Sequence, residues 1–261
     1  MSQWWRDRLG VELGPAEVVI ARVGRGLRRR SADVRRLRPP QSDDARDWRE
    51  AVAALDAEIA SAQWRNADLI VCPSDHFVHY DVLPWSDELR SEEEVRAFAR
   101  HRLRETYGEG AEAWMVALSL AWPGQKRLVA AMEQALVEAL AEVAVRHQLR
   151  LAEVKPRFTA LLDGCRRALS EKSFWFAAAE PGRLALARAW DGEWQSLAST
   201  RDGGDAGQAL CSLLVRESFA VDSEAATRRI YAHELPGAVA EKVGEAGWEI
   251  VPVSPRWNWS A

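Results

Sequence analysis

The chain has 261 residues, with 35 Lys and Arg against 39 Asp and Glu, a formal charge of −4, 48% apolar and 28% charged residues. This balance fits one large or two medium globular domains, excludes a disordered or fibrous chain, and gives no general reason to expect nucleic-acid binding. Cys72, Cys165 and Cys211 are odd in number and scattered, which fits a reducing compartment rather than a disulfide framework. No stretch reaches the roughly 20 apolar residues of a membrane-spanning helix, and the N-terminus lacks the apolar core of a signal peptide. A cytoplasmic, soluble protein is expected. The unusual number is 13 tryptophans, a residue enriched where proteins meet partners.

From Arg8 to Val23 an apolar run, the Gly14-Pro15 turn and a β-branched run predict a hairpin. Val34–Leu37 offers a third strand, stopped by Pro39-Pro40, since proline cannot donate to a ladder. Ser42 is placed to cap a helix with Asp43 and Asp44 in its first turn. Trp48, Val52, Leu55 and Ile59 then fall on one helical stripe. Asn66 closes that helix, and Asp68–Cys72 reads as a buried strand ended by Pro73.

The second half repeats this order. Phe174–Ala179, the turn Glu180-Pro181-Gly182-Arg183 and Leu184–Trp190 predict a hairpin, and Asp191-Gly192 turns into a third strand, Trp194–Ser199. Asp205 is an N-cap for a helix carrying Leu210, Leu213, Leu214 and Phe219. Arg229–Ala232 is a fourth strand, and a helix from Pro236 leads to a fifth, Trp248–Val253. Two copies of strand–strand–strand–helix–strand form the skeleton of paired ribonuclease-H-like units, the actin-like arrangement, with the helix supplying the parallel crossover.

A third module lies between the halves. His76–Leu83 reads as a strand ending at Pro84-Trp85, and Ser91–Glu94 is a capping box opening a helix with Val95, Phe98, Ala99, Leu103 and Tyr107. Gly108 stops it. Trp114–Trp122 and Arg127–Met132 flank Pro123-Gly124 as a hairpin, and a helix runs from about Glu133 to Gln148. The expected fold class is α/β, two ribonuclease-H-like (actin-like ATPase) lobes with a strand–helix–strand–strand insert in the first. The expected divisions are a first lobe over 1–75, the inserted α+β subdomain over 76–132, connecting helices over 133–171 and a second lobe over 172–261.

Leu9-Gly10-Val11-Glu12-Leu13-Gly14 with Val18-Val19 looks like the glycine–hydrophobic–aspartate–hydrophobic–glycine opening of the PilM family. Val82-Leu83-Pro84-Trp85, Glu92–Glu94, Tyr107-Gly108 and Trp114 look like the stretch that opens that family's insert. The chain therefore resembles the actin-like proteins of type IV pilus and type II secretion machines, the PilM family and the cytoplasmic domain of the GspL family. The resemblance implies that the opening hairpin is the first phosphate loop of an ATP site. The matching second hairpin would be the other loop, and a later glycine pair would meet adenosine. Phosphates need small residues and free backbone N–H groups there. Glu12 and Gly14 fit the first loop, but Pro15 removes an N–H and no Ser or Thr follows. At Glu180 and Gly182 the second loop again has a proline, and a carboxylate stands where triphosphate oxygens would come. His233–Gly237 lacks the glycine pair.

Three eroded elements imply an actin-like fold kept without its nucleotide, so no cofactor and no catalytic residue is expected; ATP with Mg²⁺, in an active actin-like ATPase, is the alternative. By the same resemblance the partner is the cytoplasmic tail of a bitopic, PilN-like inner-membrane protein. It would be held as an extended peptide between the first lobe and the insert, with Pro84 and Trp85 as the chosen contact. The assembly ATPase or platform is the further partner, the location is peripheral to the inner membrane, and a homodimer stays open.

The same residues suggest other chemistry. A metal-dependent nuclease of the ribonuclease-H-like kind would recruit Glu12, Glu50 or Glu58, and Asp75. Cys72, Asp75, His76 and His79 suggest a metal, but on one strand His76 and His79 would point to opposite faces. Of the arginine cluster from Arg22 to Arg38, Arg25, Arg28, Arg29 and Arg30 are the candidates for contact with anionic lipid or an acidic partner, against the plainer reading of a solvated hairpin. Trp4, Trp5, Trp257 and Trp259 sit at the termini, where burial is least expected.

Overall fold

The Gly14-Pro15 turn folds β1 (Arg8–Leu13) back onto β2 (Val18–Val23) as an antiparallel pair, and β3 (Asp33–Leu37) adds to β2. These elements belong to a computed structural model of the chain, which describes residues 7–23, 33–42, 44–62, 64–169, 171–219 and 228–255. The helix expected from Ser42 starts later, as α1 (Arg49–Ala62). Asp44 accepts the Arg46 N–H and the Asp47 N–H, closing a turn, and Asp47 then accepts the Arg49 N–H at 3.1 Å. A local Asx turn thus takes the place of the first helical turn. Val52, Leu55 and Ile59 are buried as their spacing requires.

Strand β4 (Asp68–Pro73) lies parallel to β1, and β8 (Arg150–Val154) lies parallel to β4, giving the order β3-β2-β1-β4-β8. Segment 133–171 is therefore more than connecting helices. Its first helix, α3 (Gln134–Arg146), is the crossover that returns the chain to the sheet, and β8 is the fifth strand. The insert separates that strand from its partner β4 in sequence, and as an edge strand it alternates too weakly to stand out.

The insert comprises β5 (His79–Leu83), α2 (Glu92–Tyr107), β6 (Trp114–Leu118) and β7 (Arg127–Glu133), in the order β5-β7-β6. Ser91 accepts the Glu94 N–H and Glu94 reaches back to the Ser91 N–H, so the capping box is complete. Leu83, Ala99, Leu103, Val116, Val129 and Ala131 form its core. The strand does not begin at His76. Ser74 Oγ accepts the His76 N–H and winds Asp75–Phe77 into a 3-10 turn, so His76 and His79 do not share a strand.

A fourth helix, α4 (Arg157–Cys165), leads to β9 (Phe174–Glu180), β10 (Arg183–Trp190), β11 (Glu193–Arg201), α5 (Ala206–Phe219), β12 (Arg229–His233), α6 (Gly237–Glu245) and β13 (Glu249–Pro252). The sheet order β11-β10-β9-β12-β13 repeats that of the first sheet strand for strand. Asp191 and Gly192, at φ 47° and 81°, make the primed turn that suits a twisted hairpin. Asp205 caps α5 by accepting the Gln208 N–H at 2.8 Å. Leu186, Leu210, Leu214, Ile230 and Val243 close the core between sheet and helices. By packing, the first sheet with α1 and α3 is one compact unit, and the insert joins the second sheet in the other.

Candidate functional site

Parallel pairing of β1 and β4 aligns their C-terminal ends, with Glu12 opposite Cys72 and Leu13 opposite Pro73. The loop that follows is closed on itself. The Gly14 N–H donates to the Glu17 carbonyl at 3.0 Å, and a Cβ on Gly14 would stand 2.9 Å from that oxygen, so only glycine permits the approach. Pro15 has no N–H to offer. On the neighbouring strand the Ser74 N–H donates to the Leu13 carbonyl at 2.9 Å. Asp75, only 2% exposed, accepts the Phe158 N–H at 3.2 Å. Burial pushes the Cys72 thiol up to about 12, and the charges of Glu12 and Glu153 add to the shift.

The equivalent loop of the second sheet is the tight turn between Glu180 and Arg183, with Gly182 at φ 81° after Pro181, as a type II turn requires. The Gly182 carbonyl accepts the Asp202 N–H at 3.2 Å, and Arg183 Nη2 donates to Ser199 Oγ at 2.9 Å. After β12, Glu234 holds φ 55°, a left-handed position that favours glycine. His233 Nδ1 lies 3.1 Å from the Val253 carbonyl, so that nitrogen carries the proton.

The other nominated carboxylates do not converge. Glu50 is exposed on α1, and Glu58 lies 3.5 Å from Arg35. Among the described residues, no three His, Cys, Asp or Glu side chains form a group that could hold a metal ion. Arg25, Arg28, Arg29 and Arg30 lie outside the described residues, as do Trp4, Trp5, Trp257 and Trp259.

Pro84 and Trp85 are exposed at the end of β5, Trp85 at 41%, and its indole N–H donates to Asp87 at 3.1 Å. The register of β5 on β7 pairs Leu83 with Arg127, which puts Pro84-Trp85 and the β6–β7 loop at one end of the insert sheet. That loop carries two strongly exposed large apolar side chains, Leu120 at 97% and Trp122 at 78%. Sequence reasoning placed both inside a strand and missed them. Trp122 immediately before Pro123-Gly124 is the signal that marked a loop tip.

No protein-family profile matches the chain, and no curated protein is significantly similar to it. Solved structures are similar in fold. The cytoplasmic domain of EpsL, an inner-membrane component of the type II secretion system of Vibrio cholerae, is 11% identical, with 92% of this chain and 94% of that one covered at a TM-score of 0.58. A chain of the PilM-PilN type IV pilus biogenesis complex is 16% identical, with 94% and 88% covered at 0.63. A Bacteroides thetaiotaomicron protein with an actin-like ATPase fold and unknown function is 11% identical, with 97% and 94% covered at 0.60. The chain shares the actin-like fold of these structures. Among the described residues no helix is long and apolar enough to cross a membrane.

Proposed function

We propose that the chain is a non-catalytic actin-like adaptor of the inner-membrane platform of a type IV pilus or type II secretion-like machine, binding the cytoplasmic tail of a bitopic membrane partner. The observation that carries this reading is the backbone of the two loops. At Gly14 the N–H is already bonded to Glu17, and Pro15 and Pro181 have none. A triphosphate needs such donors to offset its desolvation. Support for the setting comes from the fold likeness to EpsL and to the PilM-PilN complex. An extended tail would bind by adding main-chain hydrogen bonds to a sheet edge and seating side chains in pockets, with Pro84 and Trp85 as the apolar contact.

Calorimetric titration with ATP and Mg²⁺ should show no saturable binding; micromolar affinity, or phosphate release that Glu12→Ala abolishes, would assign an active ATPase instead. The partner role is tested with a synthetic peptide of the bitopic protein's cytoplasmic tail. Trp85→Ala should weaken its binding about tenfold, and equal binding by both chains would remove Trp85 from the contact.

A further inference from the structure

We propose that a second docking surface, separate from Pro84 and Trp85, takes a short acidic segment of a partner protein through one large apolar anchor. The surface is a groove of about 600 Å³ between the β6–β7 loop and the β10–β11 turn, all within the unit formed by the insert and the second sheet. Leu120 and Trp122 form one wall, Phe174 and Trp194 another. The two rings of the second wall meet edge to face with centroids 6.0 Å apart, so that wall is preorganised. A concavity of this size, lined by indoles, suits a bulky side chain and the backbone that carries it.

The charges choose the occupant. Lys126 Nζ donates to the Gln195 amide oxygen at 2.8 Å, and among the described residues neither it nor the Arg166 guanidinium meets a carboxylate. Of the acids on the walls, Glu171 is engaged by Arg229 and Tyr231. Asp163 also has a partner, Lys172 lies 3.9 Å from Asp191, and Glu193 is the acid left at the β10–β11 turn. An apolar residue flanked by Asp or Glu would bury the tryptophans and give both cations a carboxylate. A planar bilayer fits less well: the surface is concave, and Glu193 and Asp163 would face anionic headgroups.

The test is selection of displayed random peptides of roughly 12 residues on the full chain, followed by titration of the winners. The expected sequences carry a large apolar residue beside Asp or Glu. They should bind Trp122→Ala and Arg166→Glu about tenfold more weakly each and bind Trp85→Ala unchanged. Both altered residues are exposed, and unchanged thermal melting confirms that the variants fold. Selection of basic peptides, no selection, or affinities indifferent to both variants overturns the proposal. So does co-sedimentation with phosphatidylglycerol vesicles, or concentration-dependent dimerisation, that Trp122→Ala abolishes, since these would give the loop to a bilayer or a second copy. The adaptor reading survives any of these results, because its own contact is Trp85.

Discussion

Arg127 Nη1 donates to Glu92 at 2.7 Å, and Arg127 Nε donates to the Ser119 carbonyl at 3.1 Å. One half-buried guanidinium therefore joins the first turn of α2 to both ends of the β6–β7 loop, because Ser119 and Leu128 exchange hydrogen bonds across that loop's base. Arg127→Ala should cost only about 1 kcal/mol, since Glu92 is half exposed and the pair is solvent-screened. Its local effect should be larger than that figure suggests. Amide exchange at Ser119 and Leu128 should speed up while the β9 and β10 amides keep their protection; uniform acceleration would show that Arg127 holds more than the loop.

Trp48 stands immediately before α1, buried, and its indole N–H donates to Glu133 Oε2 at 2.9 Å. It thereby ties the start of α1 to the junction of β7 and α3. Trp48→Phe keeps the apolar bulk but leaves the carboxylate without its donor, and should lower unfolding free energy by about 1–2 kcal/mol. Trp48→Ala adds a cavity, for a total of about 3–5 kcal/mol. Urea unfolding of the two variants separates the terms. If Phe costs as much as Ala, the hydrogen bond rather than packing dominates the site.

Elements whose signals are local were legible in the sequence. The Asp191-Gly192 turn, the Ser91–Glu94 capping box and the Asp205 cap each depend on a few adjacent residues. Features set by distant partners were not. Strand β8 is defined by pairing with β4 across the whole insert, and the helix expected at Ser42 yields to an Asx turn at Asp44 because both conformations suit the same polar residues. Arg188 is the sharpest case. Its position on β10 gives no hint that it is 2% exposed, with its guanidinium 4.9 Å from the Trp175 ring and Nη1 3.4 Å from the Glu217 carbonyl in the last turn of α5. A helix C-terminus and an aromatic face together make burial of that cation tolerable. At the candidate site, the proline-bearing loops could be read directly. The exposure of Leu120 and Trp122 was signalled only by the neighbouring Pro123-Gly124, because it depends on β6 stopping at Leu118.

The Cys72 thiol, raised to about 12 chiefly by burial and secondarily by Glu12 and Glu153, should stay protonated and unreactive in the native chain. Iodoacetamide at a pH of about 9 should label it slowly in buffer and rapidly in urea. Because burial is the larger cause, Glu12→Gln should leave it protected. The sign of the linkage follows from the upward shift. The unfolded chain loses its thiol proton first, so the contribution to stability is complete below the ordinary thiol value of 9.0 and is lost as pH climbs toward about 12. Rapid native labelling at the lower pH would show that Cys72 is reached without unfolding.

Glu234 occupies the stretch where the actin-like resemblance implies a glycine pair, and its backbone keeps the left-handed conformation, φ 55°, without the glycine that conformation favours. A non-glycine residue there carries strain of about 1–2 kcal/mol. Glycine would relieve it, at an entropic cost of about 0.5–1 kcal/mol from the freer unfolded chain. The Glu234 carboxylate, half exposed, also lies 3.6 Å from Nε2 of the buried His233. Glu234→Gly should therefore stabilise the chain slightly, by roughly 0.5 kcal/mol, whereas Glu234→Ala, which keeps the strain and loses the carboxylate, should not. The pair of variants separates backbone from side chain: stabilisation by both would mean that the carboxylate itself is unfavourable. If Glu234→Gly also produced measurable ATP binding, the missing glycine, rather than Pro15 and Pro181, would be what keeps nucleotide out.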